Sequence, residues 1–443
     1  MTIEKFIEKI VENCEQRGLK KYQITYRESE SDSISVFEQE VNENVSSNNL
    51  TLQISVIVNG KLGKMTTEKF VEEDIHMLVK QAIMNAEIVE NEDEVFFYDG
   101  KGDYKKVRPY EPLMQKLEAL DKVEFLKNLE QKAYDLDKRI NKVVATEYGF
   151  SRDKLIMRNS LGLNLSKESC GAYAYVYLSA TDGKLNKTAS EVVSFNKEKD
   201  FDAEKLAKAA VQKAIAKLGS QDTHSQKTRV VFENKTFANL LSSIRGIFSA
   251  YEIDKGYSKL KIESVGKIIA SSKLSIIDNP HLDGGFATVS FDGEGVPTQN
   301  KKIVDKGVLE NLFFNLSMAN KYETKSTGNG TGGLGTKPFN FYVEKGYVTK
   351  SELLKILNNG IYINGLNGIH AGIDLISGDF SLGAEGFVVE GGKLGSALNQ
   401  FTISGNVYEL LKDVEEVAND LEFKSSPIGS PSILIKNITV ASS

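Results

Sequence analysis

Three groups of residues have types and spacings that could do chemistry. The first is a glycine-rich stretch, GTGGLG at 330–335, containing Gly330, Gly332 and Gly333. Its spacing matches a dinucleotide-binding turn. That turn needs a strand before the glycines and a helix opening within them, so that the helix N-terminus meets a pyrophosphate. Here polar sequence (YETKST, 322–327) precedes the glycines and Pro338 follows them in a strand-like run. The pattern therefore predicts a flexible loop that could approach an extended backbone closely, and plain turn sequence accounts for it equally well. The second group is Asp379, Ser381 and Glu385, a hydroxyl between two carboxylates. No GxSxG elbow surrounds Ser381 and no histidine lies near it in sequence, so the nucleophile reading lacks a base. Gly378, Gly383 and Gly386 favour a glycine-rich turn in which Asp379 and Ser381 bond backbone groups. The third group is the histidines His76, His224, His281 and His370. None lies within a helical turn of another, so no HExxH-type ligand pair exists. His281 stands between Asp278 and Asp283, but Asp278-Asn279-Pro280-His281 is turn chemistry. Metal binding by this chain alone is not expected.

The elements that must position these groups follow from length and pattern. A chain of 443 residues with 40% hydrophobic and 26% charged residues can bury its own cores without disulfides or structural metals. Cys14, on the apolar stripe of the first helix, and Cys170 form no CxxC motif, and they predict free thiols in a reducing compartment. The N-terminus lacks a signal-peptide pattern and no apolar run is long enough to span a bilayer, so a cytoplasmic protein without a membrane partner is expected. A net charge of −6 argues against direct nucleic-acid binding.

Helical spacing predicts a helix from Ile3 to Cys14 stopped by Gly18, one opened at Thr67, one over 113–136 and one over 203–218. Strands are predicted at 22–27, 33–41 and 50–58, with hairpin turns at Asn59-Gly60, 159–162 and 181–183. Residues 99–112 read as a loop. Beyond a polar stretch at 220–228 the pattern changes to glycine and strands, with helices over 235–248, 352–357 (capped by Ser351) and 407–418 (capped by Asn406), and a hairpin turning at Gly391-Gly392. The fold class is α+β: an amino-terminal α/β domain (1–222), then a strand-rich carboxy-terminal domain with a few helices (223–443).

The order of motifs in the second half is distinctive. Residues 376–387 (ISGDFSLGAEGF) are followed by 388–392 (VVEGG), 401–406 (FTISGN) and 417–422 (VANDLE); upstream lie 278–281 (DNPH), 291–296 (FDGEGV) and 325–328 (KSTG). This series resembles the TldD/PmbA family, in its PmbA (TldE) branch, formerly called modulators of DNA gyrase. The resemblance implies a two-domain subunit of a cytoplasmic TldD–TldE zinc peptidase that acts on extended peptides, among them a microcin precursor and an antitoxin. It places the zinc in a TldD-like partner, on a helix bearing HExxxH with a carboxy-terminal cysteine as a further ligand. In this chain Ser242, Ser243 and Ile247 stand where the two histidines and the glutamate would be, and 428–431 (IGSP) holds no cysteine. No catalytic residue and no metal ligand carries over. The resemblance implies a TldD-like subunit as partner, in a heterodimer or larger assembly, with a homodimer left open for the chain on its own.

Two other readings stand beside the peptidase subunit. One is an independent non-metal hydrolase built on Asp379, Ser381 and Glu385. The other is a protein-binding module such as a gyrase modulator. For the subunit reading, the substrate-cleft candidates are Gly330, Gly332, Gly333, Asp379, Ser381 and Glu385.

Overall fold

A computed structural model describes residues 1–90, 93–109, 117–194 and 201–442. Six strands form the first sheet: β1 (Tyr22–Phe37), β2 (Glu40–Val58), β3 (Lys61–Thr67), β4 (Ile140–Asn159), β5 (Asn164–Thr181) and β6 (Asn186–Ser194), in the order β3-β2-β1-β4-β5-β6. Every pairing is antiparallel. Residues 22, 24, 26, 34 and 36 of β1 all point to one face, as alternation requires. That face is covered by α1 (Ile3–Gln16) and α2 (Ile75–Ile88) over β1–β3, and by α3 (Ala119–Leu136) and α4 (Ala203–Lys217) over β4–β6. Gly63 lets α2 lie flat on β3, since a Cβ there would stand 2.0 Å from the Ala82 carbonyl oxygen. Cys14 is buried in this layer, where desolvation pushes its thiol up to about 12 and leaves it inert.

The strand expected over 33–41 proves to straddle a turn. Glu38 and Gln39 adopt φ of +52° and +61°, joining two long strands where three short ones were read. Neither residue is a turn signal. The turn is held from outside: Glu130 of α3, fully buried, accepts bonds from the Glu38 and Gln39 N–H groups, each at 2.9 Å, and from the Gln39 side chain at 3.1 Å. The Asn59-Gly60 turn forms as its residues dictate, with φ of +51° and +79°.

Other boundaries move for local reasons. Thr67 does not open a helix; its hydroxyl bonds Lys69, and α2 starts at Ile75 after a single turn at Glu72–Asp74. The helix expected over 113–136 runs Ala119–Leu136; residues 113–116 lie outside the described residues, as do the last three of the 99–112 loop.

In the second half, β7 (Gln226–Phe232) leads into α5 (Asn234–Ile244), which tightens into a 3-10 turn at Arg245–Phe248 instead of continuing as one helix to 248. Then come α6 (Ala250–Asp254), β8 (Ile276–Asp278), β9 (Lys301–Asp305), β10 (Val308–Leu309), α7 (Leu316–Lys321), β11 (Phe341–Val343) and α8 (Lys350–Leu357). The cap of α8 is Thr349, not Ser351, because Thr349 and Glu352 form a reciprocal capping box. The remaining elements are β12 (Gly360–Asn367), β13 (Asp379–Glu390), β14 (Lys393–Asn406), α9 (Val407–Lys412), β15 (Val414–Val417), β16 (Ile428–Gly429) and β17 (Ile433–Ser442). Asn406 caps α9 as expected, but the helix stops at Lys412 because Val414 and Val417 are taken up by pairing with β17. One sheet runs β14-β13-β12-β7-β17-β15 and closes through an extra β14–β17 pairing; a second runs β10-β9-β8-β11-β16.

The two halves meet on a small apolar joint, where Leu155, Met157 and Leu163 of the amino half pack on Phe291 of the other. Tyr104 adds a bond to the Gly295 carbonyl at 2.8 Å. Among the described residues no helix is long and apolar enough to cross a membrane.

The buried anchor at the Glu38-Gln39 turn gives a direct test. Glu130→Ala removes a carboxylate that accepts three bonds and leaves the two N–H donors of the turn without their partner. A loss of about 2–4 kcal/mol is expected in urea unfolding, whereas Glu124→Ala on the same helix should change stability by under about 0.5 kcal/mol.

Candidate functional site

Two buried carboxylates lie at the base of the glycine-rich loop, and one of them, Asp292, holds it. Asp292 is 0% exposed and accepts three backbone N–H bonds, from Gly330 at 2.7 Å, Glu294 at 2.8 Å and Val296 at 3.0 Å. The Gly293 N–H completes the clasp by donating to the Gly330 carbonyl at 2.8 Å. Asn329, also fully buried, donates to Asp278 at 2.8 Å and to the Lys337 carbonyl at 3.0 Å, while Lys301 bridges Asn329 and Asp278. Asp278 is thus a core anchor of β8 and not a turn residue exposed beside His281. His281 itself lies with Nε2 3.1 Å from the Thr298 hydroxyl, and burial pushes its pKa down.

Glu294 is the second carboxylate, 8% exposed, and the Leu316 N–H donates to it at 2.9 Å. Burial raises the pKa of both acids, and the charge on Asp292 raises Glu294 further. Three N–H donors favour the ionised form of Asp292 against one for Glu294, so of the two acids it is Glu294 that keeps its proton to higher pH. Close by, Lys167 donates to the Phe291 carbonyl at 3.2 Å with its ammonium 4.6 Å above the Phe291 ring, and burial pushes it down to about 8.

The three candidate glycines of this loop have different surroundings. Gly330 is buried, and a Cβ on it would stand 2.2 Å from a Glu294 carboxyl oxygen, so its bareness serves packing. Gly332 (φ +82°) and Gly333 face a cavity of about 280 Å³, and nothing lies within 4 Å of where a Gly333 Cβ would be. No helix follows the glycines; the loop closes on itself through a bridge between Gly330 and Thr336.

Asp379, Ser381 and Glu385 lie on one face of β13 but are not gathered into a site. Asp379 accepts from the Asn406 side chain at 2.8 Å, Ser381 is exposed opposite Ser404, and Glu385 pairs with Lys217 of α4 at 2.8 Å. Six residues of extended chain separate the two carboxylates by about 20 Å, too far for them to act on one bond.

A separate cavity of about 600 Å³ lies at the end of α5, where Ser242, Ser243, Arg245, Glu252, Tyr257 and His370 line it. Arg245 donates to the Ser242 hydroxyl at 2.7 Å, the Ser243 hydroxyl donates back to the Asn239 carbonyl at 3.0 Å, and Ile247 is fully buried. Ser430, in the segment read for a cysteine, is buried with its hydroxyl bonded to the Pro431 carbonyl. Among the described residues no group of three or more His, Cys, Asp or Glu is placed to hold a metal ion.

Sequence reading singled out neither Glu294, Lys64 nor Gln23 as a site residue. The signal for Glu294 was present in FDGEG, two acids one residue apart inside an apolar stretch; Lys64 and Gln23 gave none.

These features define a mixed α+β protein in which a helix-covered antiparallel sheet abuts a strand-rich half with a partly closed sheet. Residues 22–86, 114–218 and 225–442 match the PmbA/TldA metallopeptidase domain 1, central domain and C-terminal domain. The chain belongs to the PmbA/TldD metallopeptidase family. It is 30% identical over 322 residues to a "Metalloprotease PmbA homolog" of Buchnera aphidicola subsp. Acyrthosiphon pisum, covering 70% of this chain and 68% of that protein. A Thermotoga maritima structure named for modulation of a DNA gyrase superposes with a TM-score of 0.92 at 29% identity, covering 99% of this chain and all of the other. TldE from Thermococcus kodakarensis shares the fold, with a TM-score of 0.87 at 24% identity over 98% of this chain and 100% of that one.

The carboxylate pair predicts opposite responses to two substitutions. Asp292→Ala strands three buried N–H donors and should cost about 3–5 kcal/mol. Glu294→Gln mimics the protonated acid and should stay within about 1 kcal/mol of wild type at pH 5. Because native Glu294 holds its proton above the ordinary glutamate range and the unfolded chain does not, wild-type stability should fall as pH rises through that interval. Urea unfolding across the range should show this component of the slope vanish in Glu294→Gln.

Proposed function

We propose that this chain is the TldE-like member of a two-subunit PmbA/TldD metallopeptidase of the cytoplasm. In this reading it shapes the cleft and holds extended peptide substrate while a TldD-like partner carries the zinc. The observation that carries the reading is the end of α5. The hydroxyls of Ser242 and Ser243 are poor zinc ligands beside imidazole or thiolate, and Ile247 offers none. The Arg245 guanidinium, bonded to Ser242, adds a fixed positive charge where a divalent cation would need donors. These residues do not fit a catalytic zinc, so no catalytic step is assigned to them.

What the chain can supply is backbone. On the outer edge of β2, β3 pairs only with Leu52–Val58. Residues 40–51 of that edge therefore have no strand partner on that side among the described residues, and nearly all of them are exposed. An unpaired edge offers alternate N–H and C=O groups to an extended chain, which suits substrates recognised by backbone rather than by side chain. The separation of Asp379 from Glu385 leaves the independent-hydrolase reading without a gathered site, and no feature of the fold favours the gyrase-modulator reading.

Reconstitution tests the proposal. This chain, a TldD-like protein from the same cell and their mixture are each assayed on unfolded casein, with and without chelator. Cleavage is expected only in the mixture and only without chelator. Chelator-sensitive cleavage by this chain alone would overturn the proposal.

A further inference from the structure

The outward face of β1–β3 is mostly polar: Gln23, Thr25 and Arg27 pair across with Ser55, Gln53 and Thr51, Ser55 and Gln53 pair in turn with Lys64 and Thr66 on β3, and Ile57 with Leu62 is the apolar pair beside them. Such a face ordinarily meets water. Here the glycine loop of the second half lies over it, and Gln23 and Thr25 are each 7% exposed and Ser55 2%. The space left between is the cavity of about 280 Å³, with Gln23, Thr25, Lys64, Glu294, Gly332 and Gly333 in its lining.

Two of these side chains are incompletely used. The Gln23 side-chain oxygen is buried without any hydrogen-bond partner. A buried amide oxygen left unpaired costs about 1–3 kcal/mol, so such atoms are rare unless something binds them. Lys64 donates one bond, to the Gly332 carbonyl at 3.0 Å, and is half-buried. Its ammonium carries three donors, which leaves two for an occupant. Arg27 stands at the same cavity, so the formal charges in the lining are two cations and Glu294. With the proton resting on Glu294, the lining is net positive and adds a further hydroxyl donor.

We propose that this cavity is a binding site for a small carboxylate-bearing ligand that also offers an N–H donor, of amino-acid or dipeptide class. The carboxylate would meet Lys64, the N–H would meet the unpaired Gln23 oxygen, and Gly332 and Gly333 would let the ligand lie against the loop. The size suits a ligand smaller than a drug molecule: the volume falls just under the roughly 300–1,000 Å³ typical of sites for drug-sized ligands. The site is distinct from the α5 cavity and does not depend on the peptidase reading.

Isothermal titration of the full chain at pH 7 with alanylalanine, and with its C-terminal amide, tests the proposal. One saturable site for the dipeptide is expected, with binding at least about tenfold weaker for the amide, for Lys64→Met and for Gln23→Leu. Lys64→Arg should restore most of the affinity. Gly333→Phe, which projects into open space, should abolish binding while leaving the melting temperature close to wild type, separating blockage from unfolding. Absence of saturable binding, equal binding of dipeptide and amide, or affinity unchanged in Lys64→Met and Gln23→Leu would overturn the proposal.

Discussion

The carboxylate of Asp292 gathers three backbone N–H groups from two stretches of chain, and the junction between the two halves is arranged around it. A buried anion is tolerable only when its hydrogen-bonding capacity is filled. Meeting that requirement brings the 292–296 turn against the glycine loop so closely that Gly293 and Gly330 have no room for a side chain. Glu294 is carried into the same buried space, where a second charge is unfavourable and a proton is retained. The far end of the loop is fixed through Asn329, which donates to the Lys337 carbonyl, and through Asp278, which accepts from the Phe339 N–H. With both ends held, Gly332 and Gly333 are presented to the polar face of β1–β3, and Lys64 reaches across to the loop.

Much of this was legible from the sequence where local rules govern. Asn59-Gly60, 159–162 and Gly391-Gly392 turn where their residues dictate, and Ile3 to Cys14 forms the amphipathic helix its spacing describes. Failures arose where a distant residue decides. Glu38 and Gln39 are poor turn formers, held by Glu130 some ninety residues away. Residues 414–417 were read as continuing the helix that Asn406 caps, yet pairing with β17 makes them a strand, which suits their two valines. The largest gap concerns the face of β1–β3. A polar face covered by another part of the chain has the same alternating pattern as one facing water. Gln23 and Lys64 were therefore invisible as site residues, and Gly330 looked like an open loop position when it is a packing one.

The candidate functions divide along the same line between local and assembled chemistry. Asp379, Ser381 and Glu385 are near in sequence but strung along one strand, with Asn406 and Lys217 already engaging the two acids. The α5 end, by contrast, assembles a cavity from distant segments, yet places a guanidinium and hydroxyls there instead of metal ligands. Family membership brings a metallopeptidase context; the side chains at α5 favour a supporting part in it. Holding rather than cutting is also what the remaining features can do: an unpaired strand edge, a bare glycine loop and a polar cavity with an unfilled acceptor.

The central claim is that this chain does not itself hold the catalytic zinc, and metal analysis addresses it most directly. The pure chain, equilibrated with zinc near neutral pH and dialysed against metal-free buffer, is measured by inductively coupled plasma mass spectrometry. The account predicts far less than one zinc per chain, unchanged in Arg245→Ala, since removing the guanidinium does not create imidazole or thiolate donors. One tightly retained zinc per chain, lost when His370 or Glu252 is replaced by alanine, would contradict it.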